Sequence, residues 1–387
     1  MDRPDAPTAL DGVLVADFSR VLAGPLATMM LGDLGADVVK VERPEVGDDT
    51  RGWGPPFIDG ESAYYLSINR NKRSVALDLG SEAGLEAARR LAERADVVVE
   101  NFKPGTMSRL GLGYEKVAAV NPGVVYCSIS GFGTTGEGAS RLGYDFLVQA
   151  VGGLMSITGP ESGAPTKVGV AVVDVLTGLY ASNAILAALV GRAATGRGQR
   201  VEVDLLSSLL AGLVNQASTY LTTGAVPRAL GNRHPAICPY ETLAAADRLV
   251  VLAVGNDGQF AALALELGLD ELGSDDRFAT NAARVANRGE LVALLEARLR
   301  ERPATEWVER FDAAGVPSGL VNDVGEAFGL AQRLGLHPVV EVGEDGDEVA
   351  QVASAMRLDG TPVGYRRRPP RLGEHTAEVL GELGLTP

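Results

Sequence analysis

Residues 12–43 read GVLVADFSRVLAGPLATMMLGDLGADVVKVER, and the order of patterns within them decides the fold. GVLVADFS and ADVVKVER are short, mostly apolar runs, while GPLATMMLGDLG between them spaces its apolar positions as a helix does. Strands that are apolar on nearly every residue need cover on both faces, and strands joined through a helix run parallel. The pattern then repeats: SEAGLEAARRLAERA reads as a helix, DVVVENF and VVYCSIS as strands, and GQRVEVDL, further on, as one more. The expectation is an α/β chain with a doubly wound parallel sheet, whose ligands lie beyond the carboxyl ends of the strands.

After Gly131 the signals change. GFGTTGEGASRLG is a glycine-rich loop; YDFLVQAVGGLM, VLTGLYASNAILAALVG and LSSLLAGLVNQASTYL read as helices; the Gly-, Pro- and Arg-rich TTGAVPRALGNRHPAICPY marks a boundary near Thr222. A smaller α/β segment follows, from RLVVLAVGNDGQFAALALELG through the helices ANRGELVALLEARLRE and ATEWVERFDAAG, and from His337 a hairpin and a final helix complete the chain. Gly131–Gly136 fits G-x-G-x-x-G after a strand, but the chain continues as loop where a dinucleotide site would open a helix. No nicotinamide or flavin is expected; a mobile loop over a cleft is.

The 387 residues carry a formal charge of −15, which argues against nucleic acid, a partner that needs a basic footprint. The mix of 46% hydrophobic and 22% charged residues is that of a soluble globular chain. MDRPDAPTALDG lacks the basic-then-apolar pattern of a leader, so a cytoplasmic protein is expected. Two cysteines, Cys127 and Cys238, and three scattered histidines, His234, His337 and His375, give neither a disulfide framework nor a metal-ligand spacing, and no metal is expected. Lysine at only five positions, with arginine elsewhere and much Gly and Ala, points to a GC-rich bacterial genome. Basic residues nevertheless gather at Arg20, Arg43, Lys72, Arg73, Lys103, Arg109 and Arg141, mostly beside strand ends, as a polyanionic small ligand requires.

One carboxylate stands out. VGVAVVDVLTGLYASNAILAALV, residues 168–190, is apolar or small apart from Asp174 and a few neutral polar residues. A carboxylate in a protein interior costs on the order of several kcal/mol unless it is paired, hydrogen-bonded or neutralised. The run has the roughly 20 residues of a membrane span. Asp174, Thr177, Ser182 and Asn183 lie inside it, however, and no second such run exists, so no membrane is expected. Two compatible readings stay open: VGVAVV is a buried strand and Asp174 the N-cap of the next helix, or Asp174 is a reactive anion held at that helix start beside a cleft.

DFSRVLAGPLATMMLGDLGADVVKVERPEVGDDTR, NRNKRSVALDL, DVVVENFKPGTMSRLGLGYE, GYDFLVQAVGGLMSITG, VDVLTGLYA and PPRLGEHTAEVL together resemble the class III CoA-transferases, the carnitine and bile-acid CoA-transferase (CaiB/BaiF) family, in collinear order from about Leu10 to the C-terminus. GGLMSITGPESG and AVGNDGQF are similar to the succinyl-CoA:dicarboxylate members of the glutarate type. The resemblance implies a Rossmann-like large domain built from residues 1–222 and 337–387, a linker and smaller α/β domain in residues 223–336, and a homodimer of two interlocked rings. It places the family's nucleophile on Asp174. In such enzymes the carboxylate attacks the donor thioester to give a mixed anhydride, and the CoA thiolate returns to leave an aspartyl-CoA thioester, which the acceptor acid resolves in reverse.

Coenzyme A then enters as the acyl-CoA substrate. By resemblance Arg20, Val21 and Ala23 line its pantetheine arm; Asn71, Lys72, Arg73, Asn101, Phe102 and Arg109 hold its adenosine end; Arg43 reaches phosphate; Arg141 and Tyr144 complete the set. Leu142 stands where some members carry a phosphate-binding lysine, with Arg141 one place earlier. Gly255, Gly258 and Gln259 of GNDGQ resemble the family's lid over the intermediate. Arg233 and His234 are expected to hold the second carboxylate of a small dicarboxylate acceptor, with succinyl-CoA as donor. Two alternatives stand beside transfer: a CoA-binding protein without turnover, and a relative of α-methylacyl-CoA racemase. The racemases' GHD motif reads GYD here, and the phenol of a tyrosine is a poor proton acceptor at neutral pH.

Overall fold

The computed structural model describes residues 8–344 and 346–386. The opening strand-helix-strand pattern forms β1 (Leu14–Asp17), α1 (Ala23–Asp33) and β2 (Asp37–Glu42). Then come β3 (Lys72–Ala76), α2 (Glu82–Arg94), β4 (Val97–Glu100), β5 (Val125–Ser130), α3 (Asp145–Val151), α4 (Val172–Thr195) and β6 (Arg200–Asp204). The six strands pair in the order β3-β2-β1-β4-β5-β6 and all run parallel; Val15 lies opposite Val38 on one side and Val97 on the other. Neighbouring strand residues feed two separate cores, which is why the strands are apolar on both faces. Val15, Val97, Val99, Val125 and Cys127 meet α1 and α4, whereas Ala16, Val39, Val98 and Tyr126 meet α2 and the C-terminal helix. The strand order reverses between β1 and β4, so a crevice opens beyond the carboxyl ends of those two strands.

Several elements differ from their sequence reading. β3 was not expected, because Lys72, Arg73 and Ser74 are polar, yet all three are buried. Lys72 Nζ donates to Asp17, Asn69 and the Pro25 carbonyl, and Ser74 Oγ donates to Glu42 at 2.6 Å. VGVAVV is not a strand: residues up to Ala171 are irregular, and Val172 and Val173 already belong to α4. The N–H groups of Val168 and Val173, which a strand ladder would use, donate instead to the side chains of Gln149 (2.9 Å) and Asp145 (2.8 Å). Asp174 is therefore the third residue of α4 and not its N-cap; Ala171 holds that place.

The helix expected over YDFLVQAVGGLM stops at Val151, followed by Gly153 at φ 88°, and the one expected over LSSLLAGLVNQASTYL divides after Gly212, with Val214 at φ 42°. By length and composition α4 is apolar enough to cross a membrane, but Val173, Ala181, Ile185 and Ala188 are packed in the core, and Arg192 near its end pairs with Asp96 at 2.8 Å.

Residues 155–166 and 227–336 form a second compact unit, the other described residues the first. Residues 155–166, which lie within the 1–222 stretch expected to form the large domain, thus belong with the second unit. The second unit is built on an antiparallel sheet of β7 (Tyr240–Ala244), β8 (Leu249–Ala253) and β9 (Ser318–Leu320), in the order β9-β8-β7, with α5 (Asp257–Glu266) and three further helices around Leu243, Leu252, Phe260, Leu295 and Phe311. From His337 the chain rejoins the first unit through the hairpin β10 (Val339–Val342) and β11 (Val349–Val352) and ends in α6 (Thr376–Glu382).

Candidate active site

The turn from β1 into α1, Ser19 to Leu22, sits at the reversal of strand order and is fastened from below by buried charge. Lys40, fully buried on β2, donates to the Ser19 carbonyl and to Asp48, each at 2.9 Å. Asp48 in turn accepts from Val21 N–H, 3.3 Å from both oxygens, while Val21 adopts φ 70°, a conformation a β-branched residue takes only when its surroundings enforce it. Burial pushes the Asp48 carboxyl up, but Lys40 and the Thr50 N–H and hydroxyl outweigh it and hold it at about 2. Arg20 N–H donates to Asn101 Oδ1 (2.8 Å) and Asn101 Nδ2 donates back to the Arg20 carbonyl (2.7 Å). This reciprocal pair ties together the chain just beyond β1 and β4, across the crevice the topology creates.

Asp174 forms part of the wall. A cavity of about 220 Å³ is lined by Asp174 with Arg20, Val21, Leu22, Ala23, Asp49, Asn101, Phe102, Lys103, Arg141 and Tyr144, among others. A larger space of about 610 Å³ shares Arg20 and Phe102 with it and reaches Arg43, Val46, Leu77 and Leu79 beyond β2 and β3. α4 can come close to α1 because residue 178 is glycine: a Cβ there would lie 2.8 Å from the Ala23 carbonyl oxygen. Asp145 accepts from Val173 N–H and from Gln149 Nε2 (2.6 Å), so the buried Gln149 and half-buried Asp145 hold the segment that delivers Asp174. Burial raises the Asp174 carboxyl to about 7, and the neighbouring Asp145 carboxylate adds to the rise. Tyr64 lies close enough to feel the same charges: burial, then Asp174, Asp145 and Asp48, push its phenol up to about 12.

Arg20, Val21, Ala23, Asn101, Phe102, Arg141 and Tyr144 thus come together around Asp174, and Arg43 borders the adjoining space. Arg109 lies exposed at the end of a short helix, Thr106–Arg109, and lines neither cavity. Asn71, Lys72 and Arg73 point elsewhere. Asn71 Nδ2 donates to Asp33 and the Gly364 carbonyl, Arg73 binds Asp37, Glu378 and Glu382, and Lys72 is closed in with Asp17, so these side chains build the first unit and do not reach the crevice. Burial lowers the Lys72 ammonium to about 8 against the pull of Asp17.

In the second unit Arg233 pairs with Glu161, and His234 Nδ1 accepts from Ala236 N–H at 3.1 Å. GNDGQ is a capped helix start: Asn256 accepts from Gln259 N–H (2.9 Å) and Gln259 Oε1 from Gly255 N–H (2.8 Å). Neither Gly255 nor Gly258 takes a left-handed conformation. The GFGTTGEGASRLG loop uses its glycines for a backbone crossing, since a Cβ on Gly131 would lie 2.6 Å from Gly143 Cα. Asp48, Asp49, Tyr64, Asp145 and Gln149 were missed from sequence. Only Asp145 and Gln149, polar residues four apart on one face of an otherwise apolar helix, left a readable signal.

Residues 10–376 match the family described as CoA-transferase family III. The chain is 45% identical over 390 residues to a succinate–glutarate CoA-transferase of Agrobacterium fabrum, across 99% of this chain and 97% of that one. It is 44% identical over 381 residues to the succinyl-CoA:glutarate CoA-transferase of Homo sapiens, across 97% of this chain and 86% of that one. A crystal structure of a CaiB/BaiF family protein from Brucella suis superposes with a TM-score of 0.88 at 45% identity, covering 97% of this chain and 100% of the other. With this likeness running through the β1–α1 turn, the Asp174 helix and the returning C-terminal segment alike, the chain belongs to CoA-transferase family III.

Proposed function

We propose that this CoA-transferase moves CoA between succinyl-CoA and a small dicarboxylate, glutarate first among them, with Asp174 as the covalent carrier. The observation that carries the reading is the placement of a half-buried carboxyl in the first turn of a long helix, on the wall of a cavity at the sheet's reversal point that Lys103 and Arg141 also line. The substrates are proposed from relatives 44–45% identical over nearly the whole chain. The Asp174 carboxylate attacks the thioester carbonyl, and the C–S pair leaves as CoA thiolate. The thiolate attacks the aspartyl carbonyl of the anhydride and expels the donor acid as its carboxylate. The acceptor carboxylate then attacks the aspartyl thioester, and the released thiolate takes the acceptor's acyl group, restoring the Asp174 carboxylate. No proton needs to be moved, so no general base is required. A carboxyl titrating near 7 is a stronger nucleophile once ionised than one at 3.8, and remains about half ionised at neutral pH. Because water would hydrolyse the anhydride, the poorly solvated surroundings of Asp174 protect it.

We infer a homodimer as well, supported by the apolar side chains left exposed beside Asp174: Tyr144, Phe146, Val151 and Val170 are each 56–62% exposed. Hydroxylamine added with succinyl-CoA should inactivate the protein by trapping an Asp174 hydroxamate, and Asp174→Ala should lose exchange while keeping its fold. Full exchange by Asp174→Ala would sink the mechanism. Glutarate should be taken up far better than valerate, and equal use of the two would remove the dicarboxylate assignment. Rapid α-deuteration of a 2-methylacyl-CoA in heavy water would point to a racemase instead.

A further inference from the structure

One carboxylate holds two of the crevice's arginines. Asp49 Oδ1 pairs with Arg43 Nη2 at 2.6 Å, and its Oδ2 lies 3.5 Å from Arg20 Nη1. Arg20 borders both cavities, Arg43 the larger and Asp49 the smaller, so this carboxylate stands where the two spaces adjoin. Arg20 lies over the Phe102 ring, 5.0 Å from its centroid, and its buried Nε has no hydrogen-bond partner among the described residues. Among the described residues Arg43 otherwise donates only to the Gly47 carbonyl, at 3.3 and 3.4 Å. Asp49 does not depend on the arginines for its place. Its neighbour Asp48 is anchored by Lys40 and caps the short turn Asp49–Gly52 through Thr50 N–H. Lys103 and Arg141, on the same cavity, pair with no carboxylate among the described residues.

We propose that Asp49 is a built-in competitor for the phosphates of CoA. It neutralises Arg20 and Arg43 in the ligand-free protein, yields them when acyl-CoA enters, and takes them back when the product leaves. This rests on the CoA-transferase reading and deepens it. A phosphate, with more charge and more acceptor oxygens than a carboxylate, is the better partner for a guanidinium, and part-exposed carboxylate pairs are individually weak, so the exchange favours the ligand while reducing its net affinity. Each turnover must bind one acyl-CoA and release another, so a cap on affinity assists the release half of the cycle.

The test is calorimetric titration of CoA and of pantetheine, which lacks the phosphates, into wild type, Asp49→Asn and Asp49→Glu, with thermal midpoints to show that all three fold. Asp49→Asn should bind CoA about three- to tenfold more tightly at low ionic strength, the gap narrowing at high salt, while Asp49→Glu stays near wild type and pantetheine does not distinguish the three. Unchanged or weaker CoA binding by Asp49→Asn, with CoA still bound by wild type, overturns the proposal and makes Asp49 a residue that orients the arginines. An equal gain for pantetheine overturns it too, because phosphate would then play no part. Failure of the wild type to bind CoA at all would bring down the CoA reading itself, and this inference with it.

Discussion

Replacing Asp174 with Asn should abolish transfer and stabilise the protein, by an amount that depends on pH in a calculable way. Burial, with the Asp145 carboxylate second, lifts the Asp174 carboxyl from 3.8 to about 7. At about 1.36 kcal/mol per pH unit this is roughly 4 kcal/mol against the charged form, or about 2–4 kcal/mol after allowing for its partial exposure. Between those two values the folded protein holds a proton that the unfolded chain has lost. Wild-type stability therefore falls as pH rises through that window and levels off above about 7, whereas an Asn at this position does not titrate. The unfolding free energy of Asp174→Asn minus that of wild type should thus grow by about 2–4 kcal/mol between pH 4 and pH 7 and stay constant to pH 8. Urea denaturation of both proteins side by side at several pH values reads this directly. The same ionisation sets activity, so wild-type kcat/KM should drop about tenfold for each pH unit below about 7. Parallel stability curves for the two proteins, together with an acid limb centred near pH 4, would refute the reasoning.

Asp145→Asn removes the second contribution to the raised Asp174 carboxyl and leaves the first, so its acid limb should move below the wild-type midpoint without reaching 4; a limb that stays in place would show that the two carboxyls do not communicate. Asp145→Ala also strips the acceptor from Val173 N–H and should lower kcat more than KM changes. Lys72→Met removes the ammonium paired with the buried Asp17 carboxylate and leaves it the Ser19 and Thr28 hydrogen bonds, which should cost about 3–5 kcal/mol of stability in urea. CoA affinity of the folded variant should be unaltered, and a stable Lys72→Met protein that had lost CoA binding would return Lys72 to the ligand site.

The strands and helices around β1 were legible because their apolar periodicity has one physical solution, a sheet covered on both faces. β3 was not legible. Its buried Lys72, Arg73 and Ser74 are matched by carboxylates contributed from positions as distant as Asp17, Asp37, Glu42 and Glu378, and no local window shows that matching. The same blindness led a basic cluster in NRNKRS to be read as ligand-binding when its charges are spent inside the fold. Asp174 was legible as an isolated carboxylate in an apolar run, but its environment was not. Its titration near 7 comes from burial and from Asp145, 29 positions earlier, and the same Asp145 side chain replaces the strand expected before α4 with an irregular segment. Arg233, a conspicuous arginine in a connector, meets Glu161 in a part-exposed ion pair, a partner 72 positions away that no local window shows.

The first unit is discontinuous, and this constrains how the chain is made. Val379, Leu380 and Leu383 fill the core under α2, the Arg73 guanidinium is met by Glu378 and Glu382, and the Gly364 carbonyl accepts from Asn71. Until these last residues leave the ribosome, the sheet's β3 side keeps an open apolar seam and a buried-type arginine with two of its partners missing. Roughly 160 residues separate the end of the first unit's main stretch from the C-terminus, which at ordinary synthesis rates is about ten to thirty seconds. Once Leu336 has been made the second unit's segments are all complete, and it can fold during the roughly 50 residues of synthesis for which the first still waits. A nascent chain of this protein therefore matures out of order, its inserted unit ahead of the one that holds Asp174, and a premature stop near the C-terminus removes the closure of the catalytic half while sparing the other.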